Sequence, residues 1–189
     1  MEEMKQLQSD LGYVCGLLQK SERDGSPVTI YLLWAAISLV GFSLADFAPK
    51  YVGIYWTILG PLGGLISGLL GWRYNMRRGQ VRRDLGVRQG LHWVGMMAII
   101  FLALLLGMTR AVAWGELYRV ILLIIALTYF LAGVHLERPL LWIGVLMAAC
   151  YVALFFITAY GWTLVGTLIA GALVATGLIG GHKSVASTS

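Results

Sequence analysis

Chemistry has few places to reside in this sequence. Its three histidines, His92, His135 and His182, each fall at the end of a different apolar stretch, with Asp84 and Glu137 in the same neighbourhoods. Imidazole and carboxylate together suit a divalent metal. The three rings are therefore a candidate metal cluster, provided the chain gathers them at one end of a bundle. No HExxH or similar helical spacing places two of them on one face, so the weightier reading is three interfacial histidines with no metal and no cofactor. The cysteines, Cys15 and Cys150, form neither a CxxC pair nor a disulfide framework. There is no GxSxG elbow, no P-loop and no pair of carboxylates inside an apolar stretch, which argues against an enzyme.

A second kind of chemistry is passive binding of a solute. Pro61 lies among Gly60, Gly63 and Gly64. Proline removes one backbone donor and pushes on the carbonyl four residues earlier, that of Thr57. An opened helix at mid-membrane is where carriers place a substrate, although a packed kink is the commoner outcome. Thr57, Pro61, Thr128 and Tyr129 are the candidate lining of such a cavity. Asp46, Arg110, Glu116, Arg119 and Glu137 all fall at the ends of apolar stretches. Proton- and ion-coupled carriers hold such groups at mid-depth, so coupled transport is disfavoured.

Gly60, Gly64 and Gly68 follow one another at intervals of four. That spacing lays a bare strip along one helix face and lets another backbone approach closely. The expectation is packing within the chain, with contact between copies as the alternative. Thr167, Gly171 and Ala175 repeat the pattern more loosely.

These residues need elements to position them, and composition supplies the class. Apolar residues make up 59% of the chain and charged residues 12%, against about 25% charged in soluble domains. No single core of 189 residues hides so much apolar surface. A spanning helix takes roughly 20 apolar residues, and six such stretches occur, at about 28–47, 51–72, 91–109, 117–136, 139–158 and 161–181. The expected fold is an all-α integral membrane protein with six transmembrane helices over 28–183. A cytoplasmic segment, 1–27, precedes them and a short tail, 184–189, follows. Met4, Leu7, Leu11, Val14 and Leu18 give the N-terminal segment the stripe of an amphipathic helix. The spans divide into three hairpins, 28–72, 91–138 and 139–183, each with a tryptophan near its start (Trp34, Trp93, Trp142), a weak internal similarity.

Between the second and third spans lie Arg73, Arg77, Arg78, Arg82, Arg83 and Arg88, with Asp84 as the lone acid. Short basic loops stay cytoplasmic. With both termini inside a plasma or inner cell membrane, eleven of the fourteen Lys and Arg lie inside, leaving Lys50, Arg110 and Arg119 outside. Arg77, Arg78, Arg82 and Arg83 are the candidate contacts to anionic lipid. The net charge of +5 needs no nucleic acid to explain it, since no recognition helix or aromatic platform accompanies the arginines. The functional expectation is a non-catalytic scaffold, accessory or regulatory membrane subunit, in a homo-oligomer or larger complex. The alternative is a passive carrier or pore for a small neutral or hydrophobic solute.

Overall fold

The computed structural model describes residues 6, 12, 27–77 and 83–185, and these are helical with no strand among them. The helices are α1 (Val28–Phe47), α2 (Val52–Arg77), α3 (Arg83–Met108), α4 (Trp114–His135), α5 (Arg138–Ala153) and α6 (Gly161–Val185). The amphipathic stripe at Met4–Leu18, Arg78 and Arg82 fall outside the described residues, as do the side chains of Arg77, Arg83 and His182.

Local chemistry sets most boundaries. Ala48 leaves the helical region, with φ −150° and ψ 62°, and ends α1. It precedes Pro49, and proline crowds a helical residue before it. Pro49 then opens a 3-10 turn, Pro49–Tyr51, that leads into α2. Pro139 sits in the first turn of α5, where its missing N–H costs nothing. The break between α4 and α5 therefore falls at Leu136 and Glu137. Helix α2 runs unbroken through Pro61, so the rarer outcome, an opened helix, is not the one found there. One expected boundary is corrected: α5 ends at Ala153, not near 158, and has only 16 residues. A turn at 154–156 and an irregular stretch to residue 160 follow it.

Five helices are long and apolar enough to cross a membrane, and α5 is a shorter apolar helix. The helices pack in the order α2, α1, α6, α5, α4, α3. The most extensive pairings are α1 with α6 and α4 with α5, while α2 leans on α1 and α3 on α4 at the two flanks. Of the three hairpins marked out by sequence, none is the tightest packing pair. The core runs through the four inner helices, with Leu122, Ala126, Tyr129, Ile143, Met147, Val165, Ile169 and Leu173 buried together. The flanking helices are barely covered: 11% of the apolar window over Pro49–Tyr74 is buried within the chain and 17% of that over Gly86–Met108, against 33% for α1, α4 and α6. Leu65, Leu69, Leu91, Val94, Phe101 and Leu102 all stand exposed on those two helices. Apolar surface on this scale has lipid as its solvent. The protein is membrane-embedded and all-helical.

Glycine decides how closely α4 and α5 approach. A Cβ on Gly133 would collide with the backbone of Leu141, and one on Gly144 with the backbone of Phe130 and Ala126. The short connection at Leu136–Glu137 holds the two axes together, so facing positions near it have no room for a side chain.

Candidate functional site

The end of the bundle that carries the arginine loop holds one polar cluster. The Tyr31 hydroxyl, in the first turn of α1, donates to Glu137 Oε2 at 2.8 Å. Three turns or so into α3, His92 Nε2 lies 3.1 Å from the Thr128 carbonyl. Trp93 stands edge-on to His92 and to Tyr129, with centroids 5.2 and 5.4 Å apart. These contacts tie α1 to the α4–α5 turn and α3 to α4. His135 is exposed at the end of α4. Among the described residues no three of His, Cys, Asp and Glu gather as a metal site would require.

The candidate solute-binding residues are split. Thr57 donates to the Gly53 carbonyl at 2.8 Å. It lines an open cleft of about 610 Å³ with Pro49, Lys50, Ile54, Trp114 and Tyr118. Pro61 is exposed on the same helix. Thr128 and Tyr129 are buried in the core, with the Thr128 hydroxyl bonded to the Ile124 carbonyl at 2.8 Å. Tyr118, on the cleft, is separated from Thr128 by about 15 Å of helix. One cavity does not hold all four.

Gly64 and Gly68 are exposed on α2, whereas Gly60 is buried. Among the described residues, no atom beyond the helix's own adjoining backbone lies within 4 Å of a Cβ built on any of the three. The positions on α2 that meet α1 are the neighbours Gly63, against Ile37 and Trp34, and Ser67, whose Oγ accepts from Trp34 Nε1 at 2.9 Å. Within the chain, close packing on α2 thus falls beside the strip and not on it.

The opposite end carries an arrangement that sequence reading did not single out. Asp46 is in the last turn of α1, where the helix dipole disfavours an acid. Its Oδ2 accepts from both the backbone N–H and the hydroxyl of Thr163, each at 2.7 Å. These lie in the first turn of α6, so the acid caps the helix beside its own. Arg119 shows the same displacement in reverse: a cation near the start of α4, its Nη2 reaches 3.5 Å to the Leu154 carbonyl that closes α5. Its Nη1 holds both oxygens of Glu116 at 3.0 Å, and its guanidinium lies over the Phe155 ring at 5.1 Å. Asp46, Arg119, Leu154, Phe155, Ile157, Thr158, Gly161 and Trp162 line a partly open cavity of about 230 Å³. Of these, Trp162 continues into an aromatic row behind the cavity: it stacks on Phe42 at 6.0 Å, and Phe42 meets Trp56 edge-on. The signal available in the sequence was a charge at the wrong end of each helix, which demands a partner elsewhere.

No family model matches the chain, and no curated protein and no solved structure matches it either.

Proposed function

We propose that the chain is a non-catalytic membrane subunit that works by helix packing, as a scaffold, accessory or regulatory component in a homo-oligomer or larger membrane complex. The observation that carries this reading is the outward pair Gly64 and Gly68, one turn apart on a helix that the chain itself barely covers, with Gly60 continuing their spacing. Each glycine in a helix interior costs about 1 kcal/mol relative to alanine. Facing lipid, it returns nothing, whereas against another helix it permits close backbone contact. The alternative, a passive carrier for a neutral solute, draws support from the cleft beside Thr57. It is weaker because Thr128 and Tyr129 lie inside packed core.

In this reading six helices, α5 included, cross a cell membrane as three successive hairpins. Both termini are cytoplasmic, and the arginine loop contacts anionic lipid through Arg77, Arg78, Arg82 and Arg83. Two experiments test it. In a chain freed of Cys15 and Cys150, cysteines placed at Gln80 and Gly115 should react with an impermeant thiol reagent from opposite sides of the membrane. Reaction of both from one side sinks the topology. Gly64→Leu should dissociate the oligomer in mild detergent while the thermal stability of the single chain stays within about 0.5 kcal/mol. An unchanged oligomeric state would assign the strip to lipid.

A further inference from the structure

The cavity between Asp46 and Arg119 has the features of a binding site for a small zwitterion. Both charges line it, yet among the described residues they form no ion pair with each other, Arg119 being paired with Glu116. Each keeps unused valence. Thr163 takes Oδ2 of Asp46, which leaves Oδ1. Of the five guanidinium N–H groups, those on Nη1 serve Glu116 and one on Nη2 serves Leu154, which leaves two. An acid with an open acceptor and a guanidinium with open donors therefore line one partly open cavity.

The backbone gives an independent reason for this space to be polar. Helix α5, with its 16 residues, reaches about 24 Å, short of the roughly 30 Å hydrocarbon thickness. On the proposed reading that α5 crosses the membrane, the non-helical chain from Leu154 to Tyr160 completes the distance. Irregular backbone at membrane depth persists only where protein covers it or where it lines a polar cavity, and Leu154, Phe155, Ile157 and Thr158 of that stretch line this one.

The walls also select the cation. A quaternary ammonium is held by free aromatic faces. Here one face of Phe155 is taken by Arg119 and one face of Trp162 by Phe42, so the two rings do not form an aromatic box. A primary ammonium needs hydrogen-bond acceptors, which Asp46 Oδ1 and Thr158 offer. Guanidinium suits phosphate by its forked donors. Phe156, 80% exposed beside the cavity, provides apolar surface along which acyl chains can lie.

We infer that this cavity binds a phosphoethanolamine group, its ammonium on Asp46 and its phosphate on Arg119. The group is carried either by a lipid or by a soluble molecule. The test uses the purified full chain in mild detergent and native mass spectrometry. The probes are phosphatidylethanolamine, its mono-, di- and trimethylated forms and phosphatidylglycerol, all with the same acyl chains. Retention should fall with each added methyl and be about tenfold lower for the trimethylated lipid, the worth of one charged hydrogen bond. Asp46→Asn keeps an acceptor for Thr163 and should abolish the difference. Free phosphoethanolamine is added in a second arm, with thermal stability as the readout. Stabilisation by it, without any ranking among the lipids, assigns the site to a soluble zwitterion of the same chemistry. Equal retention across the methylated series with no effect of free phosphoethanolamine overturns the site. So does phosphatidylglycerol bound as tightly as phosphatidylethanolamine, or a preference that survives in Asp46→Asn. The methylation series needs only the natural chain, so it decides the matter even where the variant fails to fold.

Discussion

Gly144→Ala is expected to unfold the protein at temperatures the natural chain tolerates, at a cost of about 3 kcal/mol or more. A methyl group there would press on the backbone of Phe130 and on the Ala126 carbonyl. Backbone cannot rotate aside as the tip of a side chain can. The obvious relief is to part α4 from α5, and that separation strips contact from Leu122, Ala126, Ile143 and Met147, all nearly inaccessible in the core. Gly133→Ala, against the backbone of Leu141, should behave the same way. Gly171→Ala is the control: its added carbon meets nothing within 4 Å, so helix propensity alone should make it neutral or slightly stabilising. Thermal unfolding of the three variants in one detergent measures this. Equal melting of Gly144→Ala and Gly171→Ala would mean that α4 and α5 are not in backbone contact.

These glycines bear on what sequence could disclose. The class of the long helices is legible because hydropathy and length are local properties, and Pro49 and Pro139 act on their immediate neighbours. Which glycines carry packing is not. With 24 glycines in the chain, regular spacing points to Gly60, Gly64 and Gly68, of which Gly64 and Gly68 face outward. Gly144 stands alone and owes its importance to a turn that holds two axes close. The early end of α5 was hidden for a related reason. Leu154, Phe155, Phe156 and Ile157 are as apolar as the helix before them, so nothing in hydropathy marks the change from helix to turn. Polarity alone puts Thr57 and Thr128 in one class, and only the bundle geometry separates them. The charges at Asp46 and Arg119 were visible as span-end residues. Their partners, Thr163 and the Leu154 carbonyl, lie on other helices, and pairing across a bundle leaves no trace in local pattern.

Asp46→Leu is expected to destabilise the chain by about 2 kcal/mol, as the loss of a helix cap together with a charged hydrogen bond. The apolar substitute keeps much of the volume but leaves both the N–H and the hydroxyl of Thr163 without their acceptor. Both groups sit in the first turn of α6, at the seam where that helix packs against α1. Thr163→Val removes only the hydroxyl and leaves the backbone N–H on Asp46, so it should cost about 1 kcal/mol. The double variant Asp46→Leu with Thr163→Val should cost less than the sum of the two, because the hydroxyl bond is counted in each single change. Asp46→Asn should lie closest to the natural chain, since its side-chain carbonyl still caps the helix. A ranking with Thr163→Val as costly as Asp46→Leu would assign the stabilisation to the hydroxyl alone and deny the carboxylate its role as a cap donated from one helix to the next.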